Sequence, residues 1–369
     1  MPSAHKLEDV GFMRRALALA ARGLGRTRPN PAVGAVVVRD GRIVGEGWHR
    51  KAGLPHAEVE AIEVAGRRAR GATLYVTLEP CAHLGRTPPC VDLIVKSGIR
   101  RCVAALRDPH PVVNGRGFRK LRARGVQVEV GLLESEARDL IGGYLAAHTR
   151  GRPRVTWKVA STLDGRIADR SGHSRWITGP EARRHGHLLR ARSDAILVGA
   201  GTVAADDPEL TVRAVRTDRQ PLRVVCDTRL RLGTRRKLFG LALARGTVVA
   251  CGRRAPAAKE RELIRRGIEV WRLPETAHGV SPVALARRLA LEGCHEVLME
   301  GGATLATGWL EAGLVDRLAL FLAPRLLGAA GLAWCGPIAR GTLRRAPRGR
   351  VAREKRLGDD FFLMVELDD

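Results

Sequence analysis

Aromatic residues are scarce in this chain of 369: two tyrosines, six phenylalanines and six tryptophans, 4% of the whole. That leaves little material for stacking nucleic-acid bases, and no RNP-type or helix-turn-helix pattern is present. Apolar runs of 18 residues are also missing, so no segment is expected to span a membrane. Met1 to Gly25, with Lys6, Glu8, Asp9, Arg14 and Arg15 among spaced Leu and Ala, reads as an amphipathic helix and not as a signal peptide, so a cytoplasmic protein is expected. Seven cysteines is an odd number. Cys102, Cys226, Cys251, Cys294 and Cys335 are scattered singly, which does not resemble a disulfide framework and leaves only Cys81 and Cys90 in a ligand-like setting. Acidic residues are outnumbered, 38 against 64 Lys and Arg, for a net charge of +26. A surface that basic attracts polyanions. The excess is mostly arginine spread through the whole chain among Ala and Gly, as a GC-rich genome would produce, so it is read as a solvated surface and nucleic acid is not expected as the main partner. Arginine remains well suited to small phosphorylated ligands.

The length suggests two domains, and neither an internal repeat nor a low-complexity segment interrupts it. Ala32 to Val38 is an apolar run closed by Arg39-Asp40-Gly41, and Ile43 to Gly47 returns after it, which predicts a β-hairpin. Ala57, Ala61, Ile62 and Ala65 recur at helical spacing, placing His56 and Glu58 at a helix N-terminus. Thr73 to Leu78 predicts a strand with Glu79-Pro80-Cys81 at its end. A second helix is expected from Pro89 or Cys90 to Ser97-Gly98, then a strand over Arg101 to Leu106. Alternating strands and helices imply an α/β sandwich with a site at the strand ends. The pattern breaks at Gly151-Arg152-Pro153, which divides the chain into domains of residues 1–150 and 151–369. The second is again α/β, with strands over 155–160, 194–199, 222–226, 247–251, 296–299 and 317–322 and helices over 180–192, 281–292 and 303–312.

His56, Cys81 and Cys90 make one imidazole and two thiolates, with Glu58 to spare. A zinc ion with three protein ligands keeps its fourth position for water and lowers that water's pKa. Zinc-dependent deaminases use His/Cys/Cys ligands with a nearby Glu that moves protons. A lone His-x-Glu or a lone cysteine pair would be weak; a helix start, a strand end and a second helix start converging are not. The deaminase signature ends in Cys-x-x-Cys, whereas eight residues, Ala82 to Pro89, separate the cysteines here. That wider gap argues against the ordinary nucleoside and tRNA deaminases.

Val76 to Cys90, Pro29-Asn30-Pro31-Ala32-Val33-Gly34-Ala35-Val36, Asp108-Pro109-His110-Pro111 and Gly115-Arg116-Gly117 together resemble the deaminase half of the bifunctional riboflavin biosynthesis proteins. The family pattern has Ser after the first cysteine where this chain has Ala82, a change that leaves the ligands and Glu58 intact. The resemblance implies a cytidine-deaminase-like three-layer α/β/α domain. It also implies hydrolytic deamination of 2,5-diamino-6-(5-phosphoribosylamino)pyrimidin-4-one, with Asn30 and His49 on the pyrimidine and Arg86 near the ribose phosphate. From the residues alone Asn30 reads as a turn residue and His49 as a surface residue.

Met299 to Leu305 reads as a strand, a glycine pair and a helix start, able to bring backbone N–H groups to a phosphate. It is not Gly-x-Gly-x-x-Gly, so a Rossmann assignment is unjustified. Lys158 to Ala168, Ser174 to Thr178, Gly199 to Val203, Asp206-Asp207-Pro208 and Leu210 to Arg213 resemble the reductase half of the same family, in the same order. The resemblance implies a dihydrofolate-reductase-like α/β domain that uses NADPH to open a ribosyl group to a ribityl chain. The family's cofactor positions fall on Ala160, Trp176, Thr202, Asp206, Thr228 and the loop Gly302, Ala303, Thr304, Leu305, Ala306 and Thr307. Its substrate positions fall on Ser174, Arg190, Leu210, Arg213 and Glu300. Two arginines and a serine suit a ribose phosphate; a solvated helix face is the alternative for Arg190. Asp206 and Glu300 are candidates for the proton donor of the reduction. The expected partners are this small-molecule substrate and, as a homo-oligomer, other copies of the chain.

Overall fold

The computed structural model describes residues 4–84, 88–338, 342–344 and 346–368. The chain divides into two compact units, Met1–Gly151 and Arg152–Asp369. In the first, the elements run α1 (Ala4–Ala20), β1 (Gly34–Arg39), β2 (Arg42–Trp48), α2 (Ala57–Ala65), β3 (Thr73–Val76), α3 (Cys90–Lys96), β4 (Arg101–Ala104), α4 (Arg116–Ala123), β5 (Gln127–Val130), α5 (Glu134–Leu140) and α6 (Gly142–Arg150). The sheet order is β2-β1-β3-β4-β5, antiparallel as far as β3 and parallel beyond it.

Period-2 alternation builds three layers from this sheet. Ala35, Val37, Leu74, Val76, Cys102 and Ala104 face one core with Ala57 and Ala61 of α2, Val91 and Ile94 of α3 and Leu121 of α4. Val36, Val38, Tyr75 and Val103 face the other, against Met13, Ala16 and Leu19 of α1, Ala137 of α5 and Tyr144 of α6. Helix α2 lies almost on the backbone of β2 because two glycines leave room. A Cβ on Gly45 would sit 2.0 Å from the Ala61 carbonyl oxygen, and one on Gly47 2.3 Å from that of Ala57. Gly47→Ala is therefore expected to push the first turn of α2 off the sheet, at a cost of about 1–3 kcal/mol. Urea unfolding should show that loss, and metal analysis a lower metal content, since His56 caps that turn.

The second unit runs β6 (Arg154–Thr162), β7 (Arg166–Ala168), α7 (Pro180–Arg192), β8 (Ala195–Gly199), α8 (Ala200–Asp206), β9 (Leu222–Cys226), α9 (Leu241–Ala244), β10 (Thr247–Gly252), α10 (Ala257–Arg265), β11 (Glu269–Leu273), β12 (Glu275–Thr276), β13 (Gly279–Val280), α11 (Pro282–Leu291), β14 (Glu296–Met299), α12 (Ala303–Glu311), β15 (Arg317–Ala323), β16 (Leu332–Ala333), β17 (Gly349–Leu357) and β18 (Asp360–Leu367). Nine strands form one sheet in the order β11-β10-β9-β8-β14-β6-β15-β18-β17. It is parallel from β11 to β15, and β18 and β17 add antiparallel at one edge. One face buries Trp157, Leu197 and Met299 against Leu285 and Leu289 of α11 and Trp309 of α12; the other buries Ile196, Val198 and Val249 against Val203 of α8 and Leu263 of α10. Edge strand β17 is exposed along nearly its whole length and carries Arg350, Arg353, Lys355 and Arg356, charges that oppose edge-to-edge aggregation. The chain order doubles back at β8, β14 and β6, and a crevice at the carboxyl ends of such strands is where open α/β sheets bind ligands.

Candidate metal centre and a second, charged site

Three separate local signals bring the first site together. His56 is the N-cap of α2, Cys90 opens α3, and Cys81 lies beyond the end of β3. The donor atoms Nδ1 of His56 and Sγ of Cys81 and Cys90 lie within 4.8 Å of one another. His56 Nδ1 stands 3.2 Å from Cys90 Sγ and 3.6 Å from Cys81 Sγ, and the Cys90 backbone N–H donates to Cys81 Sγ at 3.4 Å. Through the Cys90 thiol, and with His56 beside it, Cys81 is drawn down to about 4, whereas Cys90 is pushed up by Cys81 and by burial. Sulfurs this close favour a thiolate beside a thiol, and a thiophilic cation would bind both deprotonated. A His/Cys/Cys set at this spacing fits Zn²⁺ with one position open.

Glu58 is 4% exposed, and burial raises its pKa. Its carboxyl hydrogen-bonds the Cys90 thiol and lies one residue into α2, so it borders the metal position without being one of the three converging donors. A buried carboxyl in this place can hold a proton and hand it on.

His49 is 2% exposed and meets His56 edge-on at 5.3 Å between ring centroids. Its Nδ1 lies 3.0 Å from the Pro55 carbonyl oxygen, which can only accept, so the proton sits on Nδ1 and Nε2 accepts from Asn30 Nδ2 at 3.0 Å. Burial lowers the pKa of His49, consistent with this neutral form. Asn30 therefore spends an amide N–H on His49, and its amide oxygen can only accept. His49 belongs to this buried pair and not to the surface. Arg86 lies outside the described residues.

The second site surrounds an ion pair whose partners are 110 positions apart. Arg190 near the end of α7 grips Glu300 with two hydrogen bonds, Nε–Oε1 at 2.6 Å and Nη2–Oε2 at 2.7 Å, and its third nitrogen donates to the Thr211 carbonyl at 3.0 Å. Burial opposes ionisation of Glu300, yet Arg190 holds it down at about 2. Lys158 on β6 and His187 on α7 face the same pair. Burial lowers the pKa of both, with Glu300 working against the shift. The His187 ring is held by the Arg213 backbone N–H at Nδ1, 3.3 Å away. Sequence reasoning singled out neither residue. For His187 the available signal was its position three before Arg190, on the same face of α7.

Of the other positions taken from the resemblance, Arg213 binds Glu209 and the Thr211 hydroxyl through Nη1. Leu210 is buried in the core at 2% exposure. Ser174 shares no hydrogen bond with Arg190 or Arg213. The Thr202 hydroxyl accepts from the Gly302 N–H at 3.1 Å, tying α8 to the N-cap of α12. The following N–H groups of Ala303, Thr304 and Leu305 open α12 and are unused by the helix, whereas Ala306 and Thr307 turn into the core, where Thr307 Oγ1 takes the Gly336 N–H at 3.1 Å. A Cβ on Gly301 would meet the Leu305 Cδ2 methyl at 2.6 Å, a contact that asks that side chain to shift. Ala160 lies on β6 beside Phe321 of β15, and the Asp206 carbonyl accepts from Arg175. Trp176 is 62% exposed with the Arg183 guanidinium 4.5 Å over its ring. Thr228 Oγ1 accepts from Val280 N–H at 3.1 Å.

Three converging donors that fit zinc beside a buried carboxyl are what a hydrolytic deaminase requires, and a glycine-led helix start next to a buried ion pair in a mostly parallel sheet suits an α/β reductase. Residues 7–106 match the model of the cytidine and deoxycytidylate deaminase zinc-binding region, and residues 153–350 that of the RibD C-terminal domain. The riboflavin biosynthesis protein RibD of Aquifex aeolicus is 42% identical over 97% of this chain and 98% of its own, and that of Escherichia coli is 42% identical over 97% and 99%. The structure of Acinetobacter baumannii RibD superposes with a TM-score of 0.89 at 39% identity, covering 99% of this chain and 100% of that one. A diaminohydroxyphosphoribosylaminopyrimidine deaminase/5-amino-6-(5-phosphoribosylamino)uracil reductase from Thermotoga maritima superposes at 0.87 and 38% identity over the same shares. The chain belongs to the RibD family: it is a bifunctional enzyme of riboflavin biosynthesis with a deaminase and a reductase activity. No helix among the described residues is long and apolar enough to cross a membrane.

Proposed function

We propose that the first unit deaminates 2,5-diamino-6-(5-phosphoribosylamino)pyrimidin-4-one and that the second reduces the ribosyl group of the product to ribityl with NADPH. The observation that carries this reading is the convergence of His56, Cys81 and Cys90 beside the buried Glu58, in a chain that also carries the Gly302–α12 cradle. Zinc is the metal the donor set fits, and it supplies a water acidic enough to react at neutral pH. Glu58 would hold and move the protons of the hydrolysis at its buried carboxyl, taking one up and delivering one to the departing amine. Asn30 offers its amide oxygen to an N–H edge of the pyrimidine, held in place by His49, and Arg86 is assigned to the phosphate.

In the second unit the nicotinamide supplies the hydride. The N–H groups opening α12 suit the cofactor's phosphates, with Thr202 fixing Gly302; Ala160, Trp176, Asp206 and Thr228 complete the assigned cofactor positions. Ser174, Arg190, Leu210, Arg213 and Glu300 are the assigned substrate positions. Arg190 is already committed to Glu300 and acts by holding that carboxylate ionised, which makes Glu300 an acceptor for sugar hydroxyls and not a proton donor. The chain works in the cytoplasm as a homo-oligomer.

One reaction vessel tests both steps: ammonia release from the diaminopyrimidine, then NADPH oxidation. Stripping the metal with a chelator is expected to stop ammonia release while leaving NADPH oxidation on already deaminated substrate unchanged, and added Zn²⁺ should restore the first step. Ammonia release that survives complete metal removal would refute the site assignment.

A further inference from the structure

Glu79 is a carboxylate 4% exposed, two residues before Cys81. In a chain with 64 Lys and Arg it forms an ion pair with none of those among the described residues. Its partners are four backbone N–H groups. Oε2 accepts from Asp108 at 3.2 Å and Gly115 at 2.9 Å, and Oε1 from Gly117 at 2.9 Å and Phe118 at 3.4 Å. These donors come from both ends of one loop, Asp108 just beyond β4 and Gly115 to Phe118 at the start of α4. Gly115 adopts φ +81°, a left-handed conformation natural to glycine, as it turns into α4. Gly117 lets the loop close on the ligand strand: a Cβ there would lie 2.1 Å from the Pro80 carbonyl oxygen. The same loop is tied from its other side, where the Tyr144 hydroxyl of α6 donates to both carboxylate oxygens of Asp108 at 3.0 and 3.2 Å and the His110 N–H adds a third bond at 2.8 Å.

A buried carboxylate is stable only when hydrogen bonds replace its hydration, and four fixed amides do so while dictating its position. Glu79 and Cys81 are separated by Pro80 alone, whose locked φ transmits little slack. We propose that Glu79 is the positioning residue of the metal centre: its carboxylate pins the loop 108–118 to the end of β3 and so sets where the Cys81 sulfur stands. The proposal rests on the reading of His56, Cys81 and Cys90 as a metal site, and its test separates the two.

Co²⁺ is loaded into the full chain, and its thiolate charge-transfer absorption and its release to a chelator are followed. Failure of the unsubstituted protein to bind Co²⁺ with thiolate absorption would overturn the reading of the site itself. With that binding in hand, Glu79→Gln, which swaps an acceptor oxygen for an N–H₂ facing backbone donors, is expected to release metal about 10–100-fold faster, the usual range for partners that orient ligands. Its charge-transfer band should shift while the reduction step runs at the normal rate. A general loss of packing would leave the band of the folded fraction unmoved. Tyr144→Phe, which loosens the loop without touching Glu79 or a ligand, is expected to speed release by a smaller factor. A folded Glu79→Gln with the band and release rate of the unsubstituted protein overturns the proposal. If that variant does not fold, unchanged release from Tyr144→Phe does so.

Discussion

Glu58→Gln is expected to lower deamination by about 10²–10⁴-fold, the range general acid–base groups contribute, while the protein keeps its metal and its reductase rate. Glutamine matches the shape of the side chain but can neither take a proton from water nor hand one to the leaving amine. His56, Cys81 and Cys90 are untouched, so stoichiometric zinc should remain by metal analysis. Replacement of the buried acid by a neutral amide also relieves a desolvation cost, since burial already disfavours its ionised form. Stability should therefore hold or rise slightly even as activity falls. Zinc loss from a folded Glu58→Gln would make Glu58 a ligand and not a shuttle, and ammonia release at the normal rate would remove it from the chemistry.

What was legible in the sequence was what local signals carry. His56 and Cys90 could be placed at helix starts because helical patterns begin beside each of them, and Cys81 at a strand end because Thr73 to Leu78, rich in β-branched and aromatic residues, runs into Glu79-Pro80. The central strands of both sheets announced themselves as apolar runs such as Ala195 to Val198. Strand β17 did not. Five of the nine residues from Gly349 to Leu357 are charged and no apolar period shows, because an edge strand exposed along nearly its whole length has no buried side to imprint one. Short α4 and α5 were lost for a related reason, since each buries only one to three residues. Contacts between distant parts of the chain were out of reach. Nothing near Glu79 says that four amides from positions 108 to 118 will meet its carboxylate. The family resemblance located Arg190 and Glu300 separately, as two substrate contacts; that they grip each other is a property of the fold, which sets the end of α7 against the end of β14. The arginine excess that reads as bland surface also hid the few arginines with structural tasks. Arg223 is one, 4% exposed and holding the carbonyls of Leu243 and Arg245.

Glu300→Gln should abolish reduction and destabilise the second unit by about 3 kcal/mol, within the range for breaking a buried pair. The loss follows from the pKa. Glu300 stands at about 2 in the folded chain, although burial alone would raise it, because Arg190 binds its charged form through two hydrogen bonds. Against a reference near 4.3 for an unfolded glutamate, that depression corresponds to about 3 kcal/mol. A group whose folded pKa is depressed stabilises above its unfolded value and ceases to as pH falls toward the folded one. The contribution is thus complete above about pH 5 and gone near pH 2. Urea titrations of the unsubstituted protein and of Glu300→Gln should differ by a constant amount from pH 5 to 8 and converge toward pH 2. The variant also leaves Arg190 and Lys158 as buried cations without their carboxylate, so burial should depress Lys158 further. Substrate that depends on an ionised acceptor loses it, and NADPH oxidation should stop while ammonia release continues unchanged. Equal stability of the two proteins at pH 7, or reduction at the normal rate, would show that the Arg190–Glu300 pair holds neither the fold nor the sugar.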